Sequence, residues 1–288
     1  MPERLRIVIA ARGAKEFSTL HDVCEQAGHL PVAYVYSRSR KPATALSPDA
    51  AGAVGQMLQA APPGMDFLLP GTASGLADIL TGYRSDLLLV CGFNWRIPTS
   101  VLGIPTHGAI NIHPSMLPKY RGPEPIQWAI RRGDTEFGIT LHRMDEGFDT
   151  GNVIVQQDGI PIDDDPTPEL LWHRMEPVIR KLLSQGLDRV AGGDLGEPQD
   201  ETRASYAGPM EPEFLRIDWR RNTREIHNQV RTFRAMRAGS GPIAQVGERW
   251  LKVLRTRTTP GTGLRVHCAD GPLWIVEHVA VPPPDNGE

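Results

Sequence analysis

Cysteine is scarce in this chain. Cys24, Cys91 and Cys268 are the three in 288 residues, odd in number and far apart. That spacing argues against a disulfide framework and against a Cys-x-x-Cys metal site, and fits reduced thiols. Long apolar runs are missing as well. Stretches such as Leu87 to Cys91 fall far short of the roughly 18 residues that signal a transmembrane helix. The N-terminus leads straight into a strand-like run, without the longer apolar region and small-residue cleavage site of a signal peptide. A cytoplasmic location is the expectation. The first loop, residues 11–17, holds a single glycine, Gly13, so the G-x-G-x-x-G fingerprint of a dinucleotide dehydrogenase is lacking. Neither charge dominates: 31 Lys and Arg face 34 Asp and Glu, a net of −3, which does not suggest a dedicated nucleic-acid binder.

What is present reads as an ordinary globular chain, with 40% apolar and 23% charged residues and length enough for two domains. In the first half, strand-like and helix-like segments alternate. Strands are expected at 5–10, 32–36, 66–69, 87–91 and 110–113. Helices are expected at 17–27, from a Ser47 cap with Pro48 at the first helical position to about Ala60, and at 76–83. Alternation of this kind implies an α/β fold, Rossmann-like, with a mostly parallel sheet and helices on both faces. A long helix is expected over 164–190, capped by Thr167 with Pro168 behind it. The expected division is a catalytic domain over 1–190, a linker over 191–204 and a small domain over 205–288. The last has a helix near 222–236 and strands at 250–254, 264–268 and 273–279, which suits a helix-and-β-barrel, OB-like module.

Charge is distributed unevenly. Residues 205–288 carry 12 basic and 9 acidic groups, a net of +3, against −6 for the remainder. Seven arginines between Arg216 and Arg237 face only Asp218 and Glu225. Such a run reads either as a solvated helix face or as a contact for an anionic ligand.

In parallel sheets, ligands bind beyond the carboxyl ends of the strands. Two strands end there in chemically dense segments, CGFNWRIP (91–98) and NIHPS (111–115). Asn111 and His113, two apart on a strand, point to the same face. Asp149 sits in a Gly/Thr-rich turn (147–151), where a carboxylate can be held near the imidazole. Amide donor, imidazole and carboxylate are the groups that acyl transfer needs, to stabilise an oxyanion and to move protons. No Ser or Cys adjoins them as an evident covalent nucleophile, which favours direct attack by a bound substrate. Asn-x-His alone is a weak signal, and a lone histidine is more often structural.

The run from Asn111 to Val153 carries more than spacing. Asn111, His113, LPKYRG (117–122) and MDEGFDTG (144–151) together resemble the signature of the folate-dependent formyltransferases. That family acts on methionyl-tRNA, on glycinamide ribonucleotide and on amino sugars. IDW (217–219) before an arginine-bearing helix resembles the start of its C-terminal domain. The resemblance implies 10-formyltetrahydrofolate as formyl donor and no metal. It implies that Asn111 and His113 hydrogen-bond the developing oxyanion, while Asp149 orients and charge-stabilises His113 and helps relay a proton. A carboxylate beside an imidazole is expected to raise its pKa. The pterin is expected between Phe93, Trp95, Arg96 and Ile97 on one side and the backbone from Asp145 through Gly147 to Asp149 on the other. Phe93 and Trp95 also read as simple core residues. The acceptor side falls to Arg12, Lys15, Ser115 and Arg121, with Arg121 equally able to tie down its own Gly-Pro turn.

The acceptor is read from departures. Pro114 follows the histidine, Leu141-His142-Arg143 precedes the Met-Asp pair, and Ser37–Leu46 is only a stub of the basic insertion of the tRNA enzymes. With weak C-terminal charge, these features favour a small-molecule amine and make tRNA the lesser expectation, with no membrane partner. Two weaker readings fit the same residues: a formyltetrahydrofolate hydrolase, and a non-catalytic folate- or nucleotide-binding module on the same scaffold.

Overall fold

The structure is a computed structural model, and it describes residues 4–36, 48–93 and 95–284. The expected cap at Ser47, the Ser37–Leu46 stub and Asn94 of CGFNWRIP lie outside the described residues.

The chain opens with β1 (Arg6–Ala11), α1 (Ala14–Gln26), β2 (Leu30–Val35), α2 (Pro48–Ala60), β3 (Phe67–Leu68), α3 (Ala73–Gly82) and β4 (Leu87–Cys91). A short α4 (Thr99–Leu102), β5 (Ala109–His113), α5 (Pro125–Arg132), β6 (Glu136–Arg143), β7 (Val153–Pro161) and α6 (Pro168–Ala191) follow. The strands form one sheet in the order β3-β2-β1-β4-β5-β6-β7. From β3 to β5 every pairing is parallel, whereas β5 and β6 run antiparallel. Strands β1 and β4 are almost wholly apolar because both faces are covered. Val8, Ala10, Leu88 and Val90 share one core with Leu76 and Leu80 of α3.

The expected Rossmann-like α/β sheet is therefore present. Strands β6 and β7 and helix α5 were not expected, because their residues read first as part of a chemical motif. The strand order reverses between β1 and β4. At such a switch point the connections leave in opposite directions and open a crevice at the carboxyl ends.

Beyond α6 come 3₁₀ turns at Glu201–Arg203 and Pro212–Leu215, then α7 (Thr223–Met236), β8 (Ile243–Val246), β9 (Arg249–Arg257), β10 (Leu264–Cys268) and β11 (Gly271–Val281). These strands form a four-stranded antiparallel sheet, order β10-β11-β9-β8, the C-terminal half-barrel that accompanies the α/β sheet. Asn222 and Glu225 close a capping box at the start of α7, with Glu225 accepting from the Asn222 backbone N–H at 3.2 Å. Ile226 and Val230 of α7 pack on Val253, Leu273 and Ile275.

The arginine run is mixed: Arg216, Arg220, Arg221, Arg224 and Arg237 are exposed, as a solvated face requires, whereas Arg231 and Arg234 turn inward. Arg231 is buried and donates to the backbone carbonyls of Asp163 at 2.8 Å and Asp164 at 3.1 Å. Arg234 pairs with Asp165, Arg220 with Asp218 and Arg221 with Glu225. For Arg231 and Arg234 the partners lie in residues 163–165, outside the run, where a local charge count does not reach them.

Packing divides the chain into two units that interleave along the sequence. One comprises Met1–Arg121, Gly138–Gln157 and Glu176–Ser205; the other comprises Gly122–Phe137, Asp158–Met175 and Tyr206–Glu288. This differs from the sequential division at 190 and 205, which stands as a proposal about functional modules. Among the described residues no helix is long and apolar enough to cross a membrane.

Candidate active site

Strand β5 carries Asn111 and His113 to its carboxyl end. The antiparallel register of β6 sets His142 opposite Asn111 and Thr140 opposite His113. Directly opposed residues share a face of the sheet. The Asn111 Nδ2 lies 3.2 Å from the His142 Nε2, and it donates to the Asp149 Oδ1 at 3.4 Å. The His113 Nδ1 is 3.6 Å from the Asp149 Oδ2. The expected Asn, His and Asp are thus brought together, and His142 joins them. In the sequence His142 reads only as a marker of subfamily. The signal that it lines the site is the alternation Thr140–His142 on a strand paired with Asn111–His113.

Tautomers follow from the partners. His113 Nε2 faces the Tyr120 carbonyl at 2.9 Å, and a carbonyl only accepts, so Nε2 carries the hydrogen. His142 Nδ1 likewise donates to the Arg143 carbonyl at 2.7 Å, which leaves Nε2 to accept from Asn111. The His113 pKa lies below the ordinary imidazole value. Burial dominates, the Asp149 carboxylate opposes it, and His142 adds to the lowering. The expectation of a raised pKa is corrected here: His113 is 3% exposed, and desolvation outweighs a carboxylate at 3.6 Å. A neutral His113 presents a lone pair on Nδ1. A proton arriving there sits between imidazole and carboxylate.

Asp149 has φ +56°, a left-handed conformation that Asp tolerates better than most side chains. Gly151 makes the turn possible, since a Cβ there would strike the Arg143 carbonyl oxygen. The Asp145 Oδ1 accepts from the Gly147 N–H at 3.0 Å and the Thr150 hydroxyl at 2.6 Å, so Asp145 shapes the turn. Cys91 ends β4 close by, but desolvation pushes its thiol up to about 12, which keeps it protonated and unreactive at neutral pH.

On the expected donor side, the Phe93 and Trp95 rings pack at 4.7 Å, partly buried against the core. Ile97 is 2% exposed, so its side chain supports the loop rather than lining a groove. Arg96 donates to the Glu146 carbonyl and lies 5.5 Å over the ring of Phe148, which is 52% exposed. The arrangement offers a flat aromatic surface, backbone amides and carbonyls, and one cation. Those are suitable partners for a planar, amide-edged heterocycle with an anionic tail.

On the expected acceptor side the four residues separate. Arg12 is exposed at the end of β1, with its stem against Gly92 and only a long 3.7 Å contact to Glu16, and Lys15 is exposed. Ser115 is 2% exposed and donates to the Lys119 carbonyl at 2.7 Å. Arg121 donates to Gln199 at 2.8 and 3.1 Å and to both Glu201 oxygens at 2.6 and 2.9 Å. Ser115 and Arg121 are thus held by hydrogen bonds within the protein, and their contact with an acceptor stands as a proposal.

With this geometry in place, the family profile described as formyl transferase matches residues 5–187. The chain belongs to the formyl transferase family. Members of that family are enzymes that move a formyl group from a folate carrier. The chain is 37% identical to a methionyl-tRNA formyltransferase of Marinobacter nauticus, over 68% of this chain and 67% of that one. It is 36% identical to the corresponding enzyme of Citrifermentans bemidjiense, over 69% of this chain and 65% of that one. The match thus spans about two thirds of each relative, slightly less in the second.

Two solved structures share the fold. The N-formyltransferase from Helicobacter canadensis, in complex with folinic acid and dTDP-3-aminofucose, has a TM-score of 0.67 at 18% identity, covering 96% of this chain and all of that one. HypX from Aquifex aeolicus, in complex with tetrahydrofolic acid, has a TM-score of 0.64 at 19% identity, over 96% of this chain and 44% of that one.

The expectation that tRNA is the lesser acceptor is corrected by these relatives. It rested on Pro114, Leu141-His142-Arg143, the short Ser37–Leu46 segment and a charge sum. Relatives matched over about 211 residues carry the methionyl-tRNA name. A charge sum also counts paired and unpaired cations alike.

Proposed function

We propose that this formyl transferase moves the formyl group of 10-formyltetrahydrofolate to the amine of methionyl-tRNA. The observation that carries the chemistry is the Asn111–His113–His142–Asp149 cluster at the carboxyl end of β5. The methionyl-tRNA formyltransferases it matches support the acceptor. The folate supplies the activated formyl group, and Phe93, Trp95, Arg96 and the 145–149 backbone would hold it.

The attacking amine must be neutral, so a base must take its proton. His113 Nδ1 is the basic nitrogen left after Nε2 is committed to Tyr120, and Asp149 stabilises the cation that forms. Asn111 exchanges its long contact to Asp149 for the oxygen that gains negative charge, while His142 keeps the amide aligned. Arg12 and Lys15 are placed for an anionic part of the acceptor.

A second reading, an amino-sugar acceptor, rests on His142 and Arg143, which resemble the sugar enzymes. One assay separates the two: tetrahydrofolate release measured with initiator methionyl-tRNA, with a dTDP-amino sugar, and with no amine. Release that depends on methionyl-tRNA supports the proposal. Release with the sugar alone favours the second reading, and release without amine identifies a hydrolase.

A further inference from the structure

The segment after α6 reads as a linker, yet its polar groups converge on His113. Backbone hydrogen bonds of 2.8 Å in both directions join Glu197 to Val153, just past the Asp149 turn. Two residues on, the Gln199 Nε2 donates to the Asp149 carbonyl at 2.9 Å and to the Gly151 carbonyl at 2.7 Å. The Gln199 Oε1 accepts from Arg121 Nε and Nη2. Arg121 in turn forks onto Glu201, which holds its guanidinium further toward the charged form.

The same segment ends at Ser205, which holds the other side of the imidazole. Ser205 Oγ accepts from the Tyr120 N–H at 2.9 Å, its backbone carbonyl accepts from the Arg121 N–H at 2.9 Å, and its N–H donates to the Pro118 carbonyl at 3.1 Å. Tyr120 and Asp149 are the two residues that flank His113, and both have positive φ, 58° and 56°. Non-glycine residues persist in that region only where neighbours over-determine them.

We propose that residues 197–205 act as a positioning strap, with Gln199 as its central residue, fixing the two residues that flank His113, Tyr120 and Asp149, at once. The strap works on the turn, not on substrate. Gln199 presents both hydrogens to two carbonyls, and these hydrogen bonds pin the backbone from which the Asp149 carboxylate projects. The role follows from complementarity. An amide is the side chain that gives two hydrogens to carbonyls and also accepts from a guanidinium. The charged and titratable side chains facing His113 are Asp149 and His142, both on the β6 side. Release of the turn removes the group that opposes the burial effect, so the His113 titration falls further.

The inference deepens the proposed formyl transfer, so its test has a readout that needs no substrate. Gln199→Met keeps the length and removes the donor and the acceptor. Ser205→Ala removes the hydroxyl that receives the Tyr120 N–H. Both are purified as the full chain beside wild type, and the His113 titration is followed by NMR with labelled histidine, assigned by the signal lost in His113→Asn. Formyl transfer kinetics are measured in parallel.

The expected result is a lower His113 midpoint in Gln199→Met, with kcat reduced at least about tenfold and both KM values within about twofold. Ser205→Ala moves kcat in the same direction by less. An unmoved midpoint, or an unchanged kcat, in folded Gln199→Met overturns the strap. If that variant does not fold, an unchanged kcat and midpoint in Ser205→Ala overturns it. If the wild type transfers no formyl group, the proposed function fails and the titration alone decides the strap.

Discussion

His113 sits between two groups that accept hydrogen bonds, and burial keeps it neutral. Its folded pKa lies below the ordinary value of about 6.5. The His113 midpoint followed by NMR in the free enzyme is therefore expected below pH 6.5, which leaves Nδ1 unprotonated at neutral pH to take a proton. A midpoint well above 6.5 sinks the base assignment. Stability carries the same signature. A histidine whose folded pKa is depressed makes the protein less stable as pH falls from about 6.5 towards the folded value, because only the unfolded chain takes up the proton. The slope is at most about 1.4 kcal/mol per pH unit for one such group. His227, lowered mainly by burial against the opposing pull of Asp164, adds to the effect. Urea melts of wild type and His113→Asn across this window should show the shallower pH dependence in the variant. At neutral pH, His113→Ala is expected to lower turnover by about 10²–10⁴. Asp149→Asn keeps a side chain that tolerates positive φ while removing the charge, so a large loss of kcat with an unchanged melting temperature isolates the electrostatic role.

Elements decide how these residues meet. Strand β6 brings His142 across from Asn111, and the turn after it carries Asp149 back over the pair. The turn closes only because residue 151 is glycine. Gly151→Ala drives a methyl group into the Arg143 carbonyl, and a loss of about 1–3 kcal/mol is expected, with turnover falling more than stability alone explains. Equal stability and activity in that variant contradicts the close approach. In the C-terminal sheet and its helix, Arg231 is the comparable fixed point. It is 5% exposed and ties α7 to residues 163–164 through two backbone carbonyls. Arg231→Leu leaves those carbonyls without their donor and is expected to cost about 3 kcal/mol by denaturant melting, with little effect if the contacts are incidental.

At the scale of the molecule, the acceptor is an electrostatic question. Arg12 and Lys15 are exposed at the end of β1, beside the reversal in strand order. If these two and one further cation meet phosphates of the acceptor stem, affinity for methionyl-tRNA falls by roughly 10–40-fold between about 50 and 200 mM salt. Arg12→Ala should raise KM for the acceptor and flatten that dependence, while KM for the folate stays within about twofold. Equal weakening for both substrates removes Arg12 from the acceptor side. An acceptor KM independent of salt removes the phosphate contacts.

The sequence by itself determined the class of the fold, because buried parallel strands and their covering helices impose distinct periods. It also pointed to Asn111, His113 and Asp149 as neighbours, because Asn-x-His shares a strand face and the MDEGFDTG turn is long and specific. It did not determine the partners of isolated polar side chains. Arg121 read equally as an acceptor contact and as a tie for its own turn, and His142 and Gln199 were left outside the site. Tertiary structure supplied their partners. Hydrogen bonding in a folded chain is settled by residues tens of positions apart, as when Arg121 meets Gln199 and Gln199 meets Asp149. The direction of the His113 pKa shift was decided in the same way. A neighbouring carboxylate can be read from a motif, but the degree of burial that outweighs it exists only once the chain has closed around the imidazole.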